Sequence, residues 1–374
     1  AESHHHSPRV NSQPTIPNYR HSAWQDLLQI AGALGIIGFH VGLPFCQAGW
    51  VAVELFFAMA GMRMVPAMTR ESGGLNYAFA RYKRMMPEVM FVWLAVLSFV
   101  VLGFGTSGMW WFLVSSPMAL QNFSPFFFSY QLPRDSVFGP LWFVAALLQL
   151  QLGCYLCRKF LKGSSALSVL AFTLILGSIS RFLFGFVEYH SLQISSRQAN
   201  LLYTMPFCHL EALVIGYLIG RGNLQGLGNW LLGIAFVIGI AGVGLLLATG
   251  RQSHWHDFGY EFPLRVGLSH VWGYPLLAFF SGALCCGLNP VRKLLKRQGM
   301  NQTLRFWLGK AAAFTFGAYC FHGMIIATGI NGQRFFGEGS LARITVFALT
   351  VAESFLLAAM FSHLCKILGK LGTD

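Results

Sequence analysis

Residues 26–61 read DLLQIAGALGIIGFHVGLPFCQAGWVAVELFFAMAG, two apolar segments joined by a short turn that contains Gly42 and Pro44. Each segment carries one ionisable side chain, His40 near the end of the first and Glu54 near the start of the second. Because the turn reverses the chain, these two side chains are expected at similar depth in a bilayer. Ionisable groups inside a membrane are energetically costly and usually mark a reaction or transport path. We therefore predict that His40 and Glu54 form an acid/base pair within the membrane.

The composition is that of a membrane protein. The 374-residue chain is 55% hydrophobic and only 10% charged, with a mean hydropathy of +0.55. Such a chain has too much apolar surface for a single soluble core. Its 26 Lys and Arg residues exceed its 13 Asp and Glu residues, but in a membrane protein this excess gathers in cytoplasmic loops beside anionic lipid. We therefore expect no nucleic acid partner and predict an all-α polytopic membrane protein.

A transmembrane helix needs about 20 predominantly apolar residues, and on this criterion we predict about ten spans. They cover residues 25–43, 49–68, 86–105, 139–158, 165–185, 202–220, 229–249, 268–288, 305–328 and 342–364. Residues 25–366 would form the transmembrane domain, residues 1–24 a disordered cytoplasmic tail and residues 367–374 a cytoplasmic C-terminal tail. The aromatic, proline-interrupted residues 107–138 are expected to form an interfacial or re-entrant segment on the outer side.

The basic residues predict the orientation in the membrane. The two tails and the loops on their side carry 18 Lys and Arg residues, against 7 in the five opposite loops. By the positive-inside rule both termini are expected in the cytoplasm. One of the basic loops, residues 63–84, would attract the phosphates of a soluble cofactor. The simpler alternative is that its charges only set the orientation; they are Arg63, Arg70, Arg81, Lys83 and Arg84.

Several ionisable residues are expected in one layer of the membrane. At 1.5 Å per residue, His40 lies about 22 Å along its helix and His322 about 25 Å along the ninth span. Glu54 falls in the same layer, and His209 with Glu211 lies in the same half of the bilayer. Imidazole suits proton removal from a hydroxyl near neutral pH, and a neighbouring carboxylate would orient it. For His209 and Glu211 the alternative is a hydrogen-bonded interior position without a chemical role.

Two other patterns favour simpler interpretations. Cys154 and Cys157 are separated by two residues, but no second pair or histidine ligand accompanies them, so we expect small core residues. His254 and His256 precede Asp257 and could ligate a metal, although such a pair in a polar loop is more often solvated. We therefore expect no metal. The chain also lacks P-loop and GxGxxG motifs, so a nucleotide would be held by side-chain charge.

Five short motifs occur in a recognisable order along the chain. Residues 26–40 match an Asp-x-x-Arg pattern followed by His, with Gln29 in place of Arg. Residues 53–61 match Val-Asp-Leu-Phe-Phe-x-x-Ser-Gly, with Glu54 in place of Asp and Ala60 in place of Ser. Residues 79–87 match Phe-x-Arg-x-x-Arg-x-x-Pro, residues 141–143 match Leu-Trp-Phe, and residues 316–322 are similar to a late Ser-Tyr-x-x-Tyr-x-x-His helix. In this order the chain resembles the acyltransferase-3 family of integral membrane O-acyltransferases across nearly all ten spans.

The resemblance implies a bacterial inner-membrane enzyme that uses acetyl-CoA from the cytoplasm and acylates a sugar hydroxyl outside. The acceptor would be a polysaccharide or its lipid-linked precursor. His40 would be the general base, Glu54 would orient it, and His322 would complete the catalytic group on the acceptor side. The remaining roles implied are cofactor binding by Arg63, Arg81 and Arg84, and substrate lining by Trp142 and His209.

Two other functions stay open at this stage. In a transporter of a polysaccharide intermediate, the buried polar groups would line a translocation path, and thioester cleavage by the purified protein would separate this function from catalysis. In a non-catalytic membrane subunit of a polysaccharide synthase, replacement of His40 would leave the acyl content of the polymer unchanged. Both alternatives are compatible with the same membrane architecture. They differ from the enzyme in the role of the buried polar groups.

Overall fold

The structure is a computed structural model that describes residues 22–69, 73–104, 107–123, 139–190, 201–248, 269–287, 301–332, 336 and 339–371. Within these residues the protein contains thirteen α-helices and no β-strand. The predicted all-α architecture is thus confirmed. The helices are α1 (Ala23–Val41), α2 (Ala52–Thr69), α3 (Gly74–Phe99), α4 (Ser107–Ser115), α5 (Trp142–Leu156), α6 (Arg158–Gly163), α7 (Ala166–His190), α8 (Leu201–Thr204), α9 (Leu210–Gly220), α10 (Gly228–Ala248), α11 (Ser269–Cys286), α12 (Gln302–Thr328) and α13 (Ser340–Leu371).

Each of the ten predicted spans coincides with helix. Among the described residues, six segments are long and apolar enough to cross a membrane: Gly49–Met68, Gly74–Gly103, Ala166–Val187, Gly228–Ala248, Gln302–Thr328 and Ser340–Leu368. Trp142–Leu156 and Pro206–Gly220 are shorter apolar helices. The protein is therefore a polytopic membrane protein built from helices.

The first helix begins and ends at clear sequence signals. The Ser22 hydroxyl accepts a hydrogen bond from the Gln25 backbone N–H at 3.3 Å, and the Gln25 side chain accepts one from the Ser22 N–H. This reciprocal capping satisfies two donors that a helix N-terminus leaves unpaired. The helix stops at Gly42, whose φ of 72° is readily adopted only by residues without a Cβ. The turn that follows sends the chain back into α2.

Close backbone contact joins α2 to α9. A Cβ on Gly61 would lie 1.9 Å from the carbonyl oxygen of Leu213, and one on Gly216 would lie 1.8 Å from that of Ala58. Small residues allow membrane helices to approach this closely, and the packing that results is a main source of their association. Because α2 and α9 touch along these glycines, the start of α2 comes close to the start of α9. This contact brings Glu54 and His209 together.

The other helices complete two neighbouring groups. The helix α1 packs against α12, which packs against α13, while α9 packs against α11 as well as α2. The helix α10 packs on α11, α7 lies on α9 and α11, and α3 lies on α5. The histidines of the first and ninth predicted spans therefore face a shared boundary between α1 and α12.

Three segments differ from the sequence expectations. In the predicted basic loop, the described residues 63–69 and 74–84 are helical: Arg63 lies inside α2, and Arg81 and Arg84 lie within α3, which begins at Gly74. An apolar window finds only the membrane-embedded part of such a helix, whereas arginine and lysine extend helices readily. The predicted C-terminal tail begins as helix, because α13 continues through Leu371. In the predicted outer segment, residues 107–115 form α4, and residues 124–138 lie outside the described residues.

Candidate functional site

Two histidines meet where α1 packs against α12. The ring centroids of His40 and His322 are 5.1 Å apart. His322 is completely buried, whereas His40 is half-buried. We predicted from depth alone that these residues lie level with each other, and the structure brings them into contact. We call His40 and His322 the histidine pair.

Backbone hydrogen bonding fixes the tautomer of His322. Its Nδ1 lies 2.6 Å from the Tyr319 carbonyl oxygen, and because a carbonyl can only accept, Nδ1 must carry a proton. The other nitrogen, Nε2, is buried and has no hydrogen-bond partner within the part of the chain that the structure describes. In the neutral ring this nitrogen bears a lone pair. The arrangement therefore gives His322 a hydrogen-bond acceptor in a site shielded from solvent.

A second imidazole is paired with Glu54. Nδ1 of His209 contacts Oε1 of Glu54 in a short hydrogen bond, and both side chains are buried. The prediction that Glu54 orients His40 is therefore wrong, because the carboxylate's hydrogen bond goes to His209. Nε2 of His209 donates to the Tyr203 carbonyl at 2.8 Å, so a further proton lies between Nδ1 and the carboxylate. With both ring nitrogens engaged, His209 has no lone pair to offer a substrate.

A buried ion pair lies beside this carboxylate and imidazole. Arg181 on α7 donates to both carboxylate oxygens of Glu211, at 2.8 and 2.6 Å, and to the Cys208 carbonyl at 2.9 Å. Both charged side chains are almost completely inaccessible to solvent. Such a bidentate contact is the strongest arrangement for a buried charge pair. Arg181 falls within the predicted span 165–185, and the charge count included it on the outer side. The available signal for its burial was that Glu211, within an apolar helix, requires a buried cation.

Aromatic rings enclose His209. The ring of Phe57 stacks on it with centroids 4.7 Å apart, and the ring of Trp142 lies 5.5 Å away. Trp142 also lies 4.5 Å from Tyr203, whose carbonyl accepts the His209 hydrogen bond. Tyr274 closes the other side at 5.3 Å. Trp142 and His209, both expected to line the substrate, are thus adjacent but buried, and their role stays a prediction.

A series of hydrogen-bonded polar side chains joins α2, α1 and α12, toward the end of the helices where the basic residues lie. Arg63 on α2 donates to the Gln29 side-chain oxygen at 2.6 Å, and the Gln29 amide donates to the Thr315 hydroxyl at 2.6 Å. The three residues belong to α2, α1 and α12. Gln29 stands where the resembled pattern has arginine, and here a guanidinium reaches the position from α2. Arg63 therefore supplies the cation that the sequence motif lacks.

The remaining predicted cofactor ligands lie on the first turns of α3. The guanidinium of Arg81 is 5.4 Å from the centroid of the Tyr77 ring, which stacks on Tyr155 with centroids 4.1 Å apart. Arg84 is exposed, and the Lys83 ammonium lies over the ring of Phe79. The structure thus gathers Arg81 and Arg84 on one helix, with Arg63 separate from them inside α2.

The described residues contain no cluster of three or more His, Cys, Asp or Glu side chains that could hold a metal. His254, His256 and Asp257 lie outside the described residues. Cys154 is buried and Cys157 is exposed, and both are free thiols.

Comparison with known protein families identifies the family of this chain. The family model of the acyltransferase domain, acyltransferase-3, matches residues 22–362. No curated protein and no solved structure gave a significant match. The matched region contains the histidine pair, both buried charge pairs and the basic start of α3. A match over most of the chain, on a bundle of membrane helices with buried histidines, shows that the protein is a membrane acyltransferase and belongs to the acyltransferase-3 family.

Proposed function

We propose that this acyltransferase moves an acetyl group from acetyl-CoA to a sugar hydroxyl of an extracellular or surface polysaccharide, or of its lipid-linked precursor. The observation that carries the proposal is the histidine pair within the matched domain. In this pair a partly buried imidazole lies beside a second imidazole whose Nε2 has no hydrogen-bond partner among the described residues, which supports a role in proton transfer. O-acyl transfer needs such a base, because a neutral hydroxyl attacks a thioester slowly.

His40 is the general base in this mechanism. His40 is only partly buried, whereas the adjacent His322 is completely buried, so His40 would be the ring that meets an acceptor hydroxyl. As His40 removes the proton, the hydroxyl oxygen bonds to the thioester carbonyl carbon. The carbon–sulfur bond then breaks, and the CoA sulfur leaves and takes up a proton. A positioned base of this kind contributes about 10²- to 10⁴-fold to the rate.

His322 supports the base through its tautomer. Two adjacent imidazolium rings would repel each other, so at least one ring of the pair stays neutral. The Tyr319 carbonyl keeps the proton of His322 on Nδ1, which leaves Nε2 as the acceptor. His322 can then accept a hydrogen bond at Nε2 while its own ring stays neutral. Glu54, which pairs with His209, acts in this proposal by shaping the acceptor side and not by orienting His40.

The donor would bind at the basic start of α3. Phe91 on this helix packs against Phe321, the neighbour of His322, with ring centroids 5.4 Å apart. Arg84 precedes Phe91 by seven residues, which is about 10 Å along the helix. An extended pantetheine arm spans this separation, so phosphates at Arg81 and Arg84 are compatible with a thioester at the histidine pair. Arg63, between the two levels, would provide a further cation along the path.

Charge bias supports an orientation with both termini in the cytoplasm of a bacterial inner membrane. Of the 7 basic residues assigned to the outer side, Arg181 is buried inside α7 and does not belong to a loop. Removing it strengthens the bias toward the side that carries 18. The start of α3 would then face cytoplasmic acetyl-CoA, and the half-buried His40 would face the acceptor.

The test uses the purified protein in proteoliposomes with acetyl-CoA, measuring release of CoA thiol and acetylation of polysaccharide from cells that express the protein. Wild type should release thiol in proportion to acetyl transferred. His40→Ala should reduce transfer by at least about 10²-fold at matched protein levels. His322→Ala should also be impaired, while CoA binding persists in both variants.

Two outcomes would favour the alternatives. A wild-type protein that moves a glycan intermediate without cleaving the thioester would be a transporter. A His40→Ala variant that leaves the acetyl content of the polysaccharide unchanged would indicate a non-catalytic subunit or a different base. In the latter case, loss of transfer only in His322→Ala would assign the base to α12.

A further inference from the structure

A long apolar groove separates helices α5 and α7, which are joined in sequence by the short helix α6. It encloses about 630 Å³ and its floor is formed by Leu210 and Val214 of α9. Its walls include Gly153 of α5 and Leu176 of α7. The groove exists because α5 packs on α2 and α3, whereas α7 packs on α9 and α11. Only the short helix α6 connects the two walls at one end.

The polar groups in the lining are already satisfied within the protein. The Gln149 amide donates to the Ala119 carbonyl at 2.7 Å and to the Asn122 side chain at 3.0 Å. The Thr173 hydroxyl donates to the Val169 carbonyl at 2.7 Å. Apolar cavities of this kind hold water poorly, because water needs several polar partners. A groove in the membrane with this lining requires a hydrocarbon occupant.

The length of the groove corresponds to one leaflet. Along α7 the lining extends from Phe172 to Phe184, twelve residue steps, which is about 18 Å at 1.5 Å per residue. Half of a hydrocarbon core about 30 Å thick is about 15 Å. A single acyl chain of a membrane lipid, extended along the helices, therefore matches the groove in length.

One end of the groove carries a positive charge. Among the described residues that line the groove, Lys159 of α6 is the one charged residue, and it is exposed. Its neighbour Arg158 is engaged with Tyr155, lying 4.4 Å from the ring centroid and donating to the Tyr155 carbonyl. Among the described residues no carboxylate pairs with Lys159. Within the described part of the chain, the ammonium is therefore available to neutralise an anion at the level where a lipid headgroup lies.

We propose that this groove is a binding site for an anionic glycerophospholipid, with one acyl chain between α5 and α7 and the headgroup phosphate at Lys159. Basic pockets between transmembrane helices are a recognised means of holding anionic headgroups. Hydrocarbon in the groove would fill the space between α5 and α7, and so hold α7 in position. The proposal stands on the groove alone and does not depend on the donor or acceptor of the acyl transfer.

Gly153 offers a way to block the groove without disturbing the fold. A Cβ at this position would meet no heavy atom within 4 Å, so Gly153→Leu would place its side chain in the groove. Leucine also favours helix over glycine. Gly233 of α10 is a matched control, since it has the same open surroundings and lines a separate apolar surface between α10 and α11. For the charge, Lys159→Gln is paired with Lys162→Gln on the same helix.

The experiment is native mass spectrometry of the purified, delipidated full chain titrated with phosphatidylglycerol or phosphatidylcholine of equal chain composition. Wild type should retain one phosphatidylglycerol and prefer it to phosphatidylcholine. Lys159→Gln should weaken phosphatidylglycerol binding about fivefold, the factor for one basic residue near an anionic surface. Gly153→Leu should lose the bound lipid, whereas Gly233→Leu and Lys162→Gln should bind as wild type.

Three results would overturn the assignment. Equal retention of the two lipids by wild type would remove the role of the headgroup charge. Equal effects of Lys159→Gln and Lys162→Gln would indicate diffuse surface attraction in place of a site. Displacement of phosphatidylglycerol by a polyprenyl phosphate at lower concentration would make the groove a site for a lipid carrier of glycan. Folding of each variant is checked by its thermal transition in the same detergent.

Discussion

The pairing of Glu54 with His209 can be tested through its energetic coupling. Glu54→Ala would leave the His209 ring without its carboxylate in a site from which solvent is excluded. Removing one partner of a buried ion pair costs about 3–5 kcal/mol of folding free energy. Glu54→Gln keeps an oxygen that accepts from Nδ1 and loses only the charge assistance. The expected cost of this milder change is about 1–2 kcal/mol, the difference between charged and neutral hydrogen bonds.

A double-mutant cycle isolates the pair from other effects. His209→Ala alone should also destabilise the protein, but the double variant Glu54→Ala/His209→Ala should cost less than the sum of the single changes. The expected coupling is about 2–3 kcal/mol, at the upper end for residues in direct contact. The free energies are measured by unfolding in mixed micelles through a titration with denaturing detergent, with circular dichroism as the signal.

The same variants separate this arrangement from the pairing first predicted from the sequence. If Glu54 positioned His40, Glu54→Gln and His40→Ala would be coupled in the rate of acetyl transfer. The structure predicts independent effects of these two changes on rate and strong coupling of Glu54 to His209 in stability. Additive stabilities for Glu54 and His209, within about 0.5 kcal/mol, would refute the reasoning. The reasoning would also be refuted if Glu54→Gln lowered the transfer rate of the wild type but had no effect on the rate of the His40→Ala variant.

Two further predictions follow from the helix α3 and from the glycine contacts. Replacing both Arg81 and Arg84 by alanine should weaken CoA binding, measured by calorimetry, by about 1.5–3 kcal/mol for each phosphate contact. Lys162→Ala on another helix is the control and should leave the affinity unchanged. If the double variant binds CoA with wild-type affinity, the donor binds elsewhere. Gly216→Ala should strongly lower the temperature of thermal unfolding, because its Cβ would lie 1.8 Å from the Ala58 carbonyl oxygen. Gly153→Ala should leave this temperature equal or raise it, since glycine disfavours helix by about 1 kcal/mol. Equal transitions in the two glycine variants would contradict the close packing of α2 on α9.

The helices were predictable because bilayer thickness imposes a length that apolar runs reveal. The contact of His40 with His322 was also within reach, since depth along two helices of the same direction can be counted. What depth cannot provide is the direction in which a side chain points around its helix. Glu54, His209, His40 and His322 share one layer, and only the packing of α2 on α9 decides which carboxylate meets which imidazole. That packing depends on backbone contacts at glycines, which no hydropathy pattern contains.

Arg181 shows a second limit of the sequence. It occurs in the segment SISRFLFG near the end of an apolar run, where an arginine commonly reaches the membrane surface. Its burial is explained only by Glu211, thirty residues later on a different helix. The extension of α3 to Gly74 was missed for a related reason, because a search for apolar windows ends where charges begin although the helix continues.

The buried pairs and the histidine pair are connected through aromatic packing. The ring of Phe57, stacked on His209, also packs on Phe143 with centroids 4.8 Å apart, and Phe143 lies 5.4 Å from Tyr319. Tyr319 then meets His322 in two ways, through ring contact at 5.6 Å and through the carbonyl that holds Nδ1.

The hydroxyl of Tyr319 is itself held, because it donates to the carbonyl of Pro140 at 2.6 Å, just before α5. Tyr319, whose carbonyl sets the tautomer of His322, is thus held at its side-chain hydroxyl as well as at its backbone carbonyl. Catalysis by a general base depends on such fixed geometry, since reorienting the base during reaction would raise the barrier. We therefore expect the Glu54–His209 and Arg181–Glu211 pairs at α9 to influence the reaction indirectly, by keeping rigid the packing that surrounds Tyr319.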